Sequence, residues 1–135
     1  MSSDRPPLKI PPIFLADVEL AQQAAVEYQQ SGDPTPLQTA IATWAKILSH
    51  PDFATADAKS EFAVYHDAAV AYFYHYSATN RFDHLQRAIA HLQQALTLAT
   101  DDADAQARCL SNLGGLLSQL YAHTGNEADL AAAIP

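Results

Sequence analysis

The sequence predicts an all-α fold, a solenoid of antiparallel helix hairpins about two and a half units long, and three observations predict it. Apolar residues recur at three- and four-residue steps, which places them on one face of a helix with about 3.6 residues per turn. Only four glycines and few runs of Val or Thr interrupt a chain rich in Ala, Leu and Gln, side chains that favour helix. The same hairpin signature also occurs three times, the mark of a stacked array. With 135 residues and 49% apolar side chains the chain suits one domain with a continuous core, and no segment reads as a strand.

In chain order, residues 1–12 form a leader in which Pro6, Pro7, Pro11 and Pro12 remove backbone donors and lock φ, so an extended, mobile stretch is expected. The repeat domain is expected over 13–135, with units at about 14–49, 54–100 and 103–135, the last truncated. Leu15, Val18, Ala21, Ala25 and Tyr28 mark the first helix, and Leu37, Ile41, Trp44, Ile47 and Leu48 the second. Between them Gly32 can take the left-handed conformation that ends a helix, while Asp33 followed by Pro34 caps and starts the next.

Tyr28, Leu37 and Ile41 return 48 residues later as Tyr76, Leu85 and Ile89, and after a further 45 as Tyr121, Leu130 and Ile134. Four residues beyond each tyrosine stands Gly32, Asn80 or Gly125, residue types that tolerate positive φ. Ala40-Ile41, Trp44 and Ile47-Leu48 likewise superpose on Ala88-Ile89, Leu92 and Ala95-Leu96. Helices are therefore expected at about 14–31, 34–49, 54–79, 82–100 and 103–124, with a sixth starting near 127. Asp101, Asp102 and Asp104 gather at the start of the fifth, where negative charge meets the positive helix end. The third unit stops at Pro135, which would break a continuing helix, so a fragment of a longer array is expected. An uncovered solenoid end invites self-association into a homo-oligomer.

Charge and motif content exclude several functions. A net charge of −8 would repel a phosphate backbone, so no nucleic acid is expected and a basic or apolar partner fits better. No apolar run approaches the roughly 20 residues of a membrane span, so no membrane partner is expected. Cys109 is the lone cysteine, and the N-terminus has no charged stretch leading into an apolar one, which points to a cytoplasmic setting. Six histidines contain no pair three or four apart, so no metal is expected. His84 and His91 share a face and are expected to flank the packing stripe with their polar edges in water. Cys109 beside Arg108, with His66 or His123 as base, is a conceivable nucleophile, but a small buried cysteine is the stronger reading. There is no Gly-rich phosphate loop after a strand, hence no cofactor and no enzymatic activity is expected.

Leu110, Leu113-Gly114 and Leu117, followed by a turn and the Ala-rich stretch from Ala131 to Ile134, resemble the tetratricopeptide repeat (TPR) family. In that family's first helix a Leu-Gly pair between large residues lets two helices pack closely; Ala69 and Ala21 hold the glycine's place in the second and first units. The step of 45–48 residues exceeds the usual 34 or so. In this longer form Tyr121, Thr124-Gly125-Asn126, Asp129-Leu130 and Ala133-Ile134 are similar to the arrays beside caspase-like CHAT protease domains.

The resemblance covers about residues 14–135 and implies a TPR-like α-solenoid that serves as a non-catalytic protein-protein interaction scaffold, holding a peptide or protein in a concave helical groove. Two alternatives stay open: a regulatory or sensor region of a longer CHAT protease, and a self-assembling homodimer module. If first helices line the concave face, the register of Ala21, Ala69 and Gly114 turns Val18, Gln22, Ala25 and Val26 into it from the first unit. The expected partner-binding residues from the other two are His66, Val70, Phe73, Tyr74, Arg108, Ser111 and Gln119, with Gly115 and Ser118 between the last two, and the aromatics would anchor a partner. Burial of Phe73 and Tyr74 between adjacent hairpins is the competing reading.

Overall fold

The computed structural model describes residues 11–124 and forms five helices there: α1 (Leu15–Ser31), α2 (Thr35–Ser49), α3 (Ala58–Thr79), α4 (Phe82–Leu98) and α5 (Ala103–Thr124). Single 3-10 turns at Pro12–Phe14 and Pro51–Thr55 precede α1 and α3, and no strand occurs among the described residues. The sixth helix expected near 127 and the third turn at Gly125 lie outside the described residues.

Both hairpin turns are closed by the same device. Gly32 sits at φ 73° and donates its N–H to the Tyr28 carbonyl over 2.7 Å; Asn80 sits at φ 58° and donates to the Tyr76 carbonyl over 2.7 Å. A left-handed residue after the last turn satisfies a carbonyl that the helix itself leaves free. Asp33 then accepts the Thr35 N–H (2.9 Å), and it is Pro36 rather than Pro34 that occupies the first turn of α2. Asp102 caps α5 by accepting the Ala105 N–H (3.0 Å). The start of α3 departs from expectation by several residues. Pro51-Asp52-Phe53 closes a 3-10 turn on His50, whose Nδ1 accepts the Asp52 N–H (3.0 Å), and buries Phe53. The helix waits for Asp57, which caps it through the Ser60 N–H (2.9 Å).

Ring contacts between α3 and α4 fix an antiparallel hairpin: His75 meets His84, Tyr72 meets His84 and His91, and Tyr65 meets His91. Asp17 to Lys46 and Phe14 to His50 show the same sense for α1 and α2. Helix α3 is the shared wall of two hydrophobic clusters. Val64, Ala68 and Ala71 join Phe14, Val18, Trp44, Ile47 and Phe53 in the first; Ala69, Tyr72 and Tyr76 join Leu85, Leu92, Cys109 and Leu113 in the second. Ile41 and Tyr65 pack against both clusters. A helix buried on two faces must be apolar nearly all round, which accounts for the run Ala68-Ala69-Val70-Ala71-Tyr72-Phe73. The small residues that the register demanded, Ala21 and Ala69, are fully buried, at 0% and 1% exposure. Among the described residues no helix is long and apolar enough to cross a membrane.

Candidate functional site

The odd-numbered helices lie beside one another. α1 reaches α3 where Tyr28 and Tyr74 rings tilt together at 5.4 Å and Gln29 donates to the Tyr74 hydroxyl (3.4 Å); α3 reaches α5 where His66 Nε2 and Asn112 Nδ2 stand 3.3 Å apart. Between α3 and α5 this leaves a groove of about 330 Å³. Val70, Phe73 and Tyr74 line one wall, Ser111, Asn112 and Gln119 the other, with Ala69, Leu92, Gly115 and Leu116 completing it.

Five of the seven residues expected to bind a partner, Val70, Phe73, Tyr74, Ser111 and Gln119, are thus brought together. The other two are not among its lining residues. His66 is stacked on Phe62 (ring centroids 5.8 Å, 20° between planes), with Nδ1 3.4 Å from an Asp67 oxygen, and its contact with Asn112 ties α3 to α5. Arg108 is exposed on α5, one residue from the buried Cys109. In the first unit the expected register fails at Val18, which packs into the core cluster with Trp44, Phe53 and Val64 instead of facing the groove; standing three residues before Ala21, it shares that residue's buried face. Phe73 and Tyr74 are half-buried, which falls between the two readings of them: each leans on a neighbouring helix and still lines the groove.

The groove is made by chemistry as much as by shape. None of its ten lining residues carries a charge, in a chain of net charge −8. The amide side chains of Asn112 and Gln119 and the Ser111 hydroxyl offer donors and acceptors opposite the aromatic wall. Gly115 is exposed on α5, and a Cβ built on it would meet nothing within 4 Å. The internal packing of the described chain therefore gives no reason for the missing side chain.

Cys109 is fully buried, and burial pushes its thiol pKa up, against a smaller opposing pull from Arg108. A thiol held protonated in the core is a packing residue and a poor nucleophile.

A second cluster escaped the sequence reading. His75 is 4% exposed, and its Nδ1 lies 2.7 Å from the Nδ1 of His84, with ring centroids 4.5 Å apart. Tyr72 presents its ring edge to His84 at 5.4 Å. His84 therefore does not keep its polar edge in water, as its place on the amphipathic stripe suggested; its side chain is 12% exposed and turned onto its neighbour. His91 is half-buried between Tyr65 and Tyr72, and burial, with help from Arg87, holds its pKa below the ordinary value. The signal was present: the two histidines stand five before and four after Asn80, so a hairpin closed there must bring them face to face.

No family model matches the chain, and none of the curated proteins or solved structures compared with it is significantly similar to it.

Proposed function

We propose that this chain is a non-catalytic interaction scaffold, a TPR-like α-solenoid acting in the cytoplasm, whose α3–α5 groove holds a segment of a peptide or protein partner. The observation that carries the reading is the uncharged groove with Phe73 and Tyr74 on one wall and hydrogen-bonding amides on the other. Such a surface accepts an apolar anchor and satisfies the backbone beside it, while the surrounding negative charge favours basic flanking residues. Selection of peptides from a displayed random library should enrich sequences with an apolar anchor and basic flanks. Gly115→Phe, which fills the groove from an open position, should weaken the selected peptides at least tenfold without lowering the melting temperature. Failure to enrich any sequence, or affinity indifferent to Gly115→Phe, would overturn the reading.

One observation favours a second role. Four large apolar side chains, Ile13, Leu15, Leu20 and Val26, are exposed at 40–56% on the first 3-10 turn and α1, which suits self-association through that helix. The solution mass over a range of concentrations separates this from a monomeric scaffold of 14.6 kDa.

A further inference from the structure

The His75–His84 contact has only one arrangement of protons that serves both rings. At 2.7 Å between Nδ1 atoms one nitrogen must donate and the other accept. His75 Nε2 is buried with no hydrogen-bond partner, whereas His84 Nε2 lies 3.9 Å from an Asp83 oxygen. Orphaned buried N–H groups are rarer in folded proteins than under-satisfied acceptors, so the proton is assigned to His75 Nδ1 and the bare lone pair to its Nε2. His75 Nδ1–H then donates to His84 Nδ1, and His84 carries its own proton on Nε2, toward Asp83. A first added proton can go only to His75 Nε2, which is buried; a second would put two cations with centroids 4.5 Å apart.

We propose that the His75–His84 pair is a proton-operated latch at the turn of the α3–α4 hairpin, closed while both rings are neutral and released when they become charged. The charged groups that act on it come from the turn and α4: Arg81 and Arg87 oppose protonation, and Asp83 favours it. Asp83 is largely committed to Arg81, whose Nη2 and Nε lie 3.1 and 3.3 Å from its oxygens. From α3 the neighbours are Tyr72, through its ring edge, and Thr79, whose hydroxyl donates to the His75 carbonyl (2.7 Å). Burial is the largest influence on both histidines and lowers the pKa of each below 6.5.

The sign follows from linkage. Groups whose folded pKa is depressed are neutral in the folded chain but protonated in the unfolded one as the pH falls below about 6.5. Stability is therefore fully present above pH 6.5 and is lost as the pH drops toward the folded values. The latch differs from the separate burial of two histidines in its tautomers and in its coupling, and both can be measured.

The test is nitrogen-15 NMR of the imidazoles, together with urea unfolding at pH 7.5 and 5.5. The expected neutral-pH spectrum has His75 as the Nδ1–H tautomer, the rarer form in free histidine, and His84 as the Nε2–H form. At the lower pH the pair should account for an uptake of one to two protons on unfolding, above the share of the buried His91, which stays in both variants. His84→Gln, which retains a polar group at the site, should return His75 to the Nε2–H tautomer or a mixture and remove about half of the pair's share of the acid shift. His75→Gln provides the reciprocal variant should the first fold poorly. Two ordinary Nε2–H histidines titrating independently near 6.5 would overturn the latch, as would an acid shift unchanged in both variants.

Discussion

The α1–α2 and α3–α4 hairpins share one turn and one packing register, and they diverge wherever the neighbouring helices differ. Leu37 and Leu85, Ala40 and Ala88, and Ala21 and Ala69 occupy matching places 48 residues apart, and all six are fully buried. Trp44 and Leu92 match in the same way at 2% exposure each. Yet Gln22, Ala25 and Val26 of α1 stand where α3 has Val70, Phe73 and Tyr74, and exposed Glu27 stands where α3 has buried His75. Helix α1 packs mainly on α2 and reaches α3 through Tyr28 and Gln29, whereas α3 packs on both α2 and α4 and meets α5 at His66 and Asn112. Repetition thus preserves the positions that close each hairpin on itself. The positions between hairpins are free to differ, and the groove arises there; the histidine pair arises inside the second hairpin beside its turn, at His75 and His84, where the first hairpin has Glu27 and Pro36.

The largest test of this equivalence removes the matching leucines. Leu37→Ala and Leu85→Ala each leave a void in a fully packed site and should each cost about 2–5 kcal/mol in urea unfolding. Trp44 is the only tryptophan and lies in the first cluster, so its fluorescence follows that half while circular dichroism follows every helix. Coincident curves are expected in both variants, because α3, Ile41 and Tyr65 belong to both clusters. Loss of the fluorescence transition ahead of the helix signal in Leu37→Ala would break the comparison, by showing two hairpins that melt separately.

A smaller effect is expected at the turns. Gly32→Val forces a β-branched side chain into the left-handed region and should cost about 1–2 kcal/mol. Asn80→Val should cost less, since Asn80 already carries a Cβ in that conformation. Equal losses would mean that the two turns carry different strain despite their matching hydrogen bonds.

What could be read in the sequence follows the same division. The helices and their turns were legible because Gly32, Asn80, Asp33 and the apolar period act locally, and five helices stand within a few residues of expectation. The delayed start of α3 from 54 to 58 was not, since Ala54, Ala56 and Ala58 favour helix and only the anchoring of Phe53 and the cap at Asp57 shows where the helix begins. Of the candidate site, the α3 and α5 faces were legible from the position of the small residues, which placed Val70, Phe73, Tyr74, Ser111 and Gln119 on one side. The fate of Val18 and His66 depended on which partner each found across a helix interface, and periodicity within one helix does not contain that information.

Gly115 supplies the smallest and most pointed test, because it separates what the fold needs from what the groove needs. Glycine in a helix interior is destabilising by roughly 0.5–1 kcal/mol relative to alanine, and here a Cβ would meet no atom within 4 Å. Gly115→Ala should therefore raise stability by about that amount in urea unfolding. The matching position in α3 is Val70, so the fold tolerates a side chain there in the preceding unit. A gain would show that the glycine is a cost borne by α5 without any packing reward, leaving close approach by something outside the chain as the reason for an open groove floor. A loss would mean instead that the wall formed by α3 and α5 is tighter than its geometry indicates, and the difference between Val70 and Gly115 would then belong to packing rather than to binding.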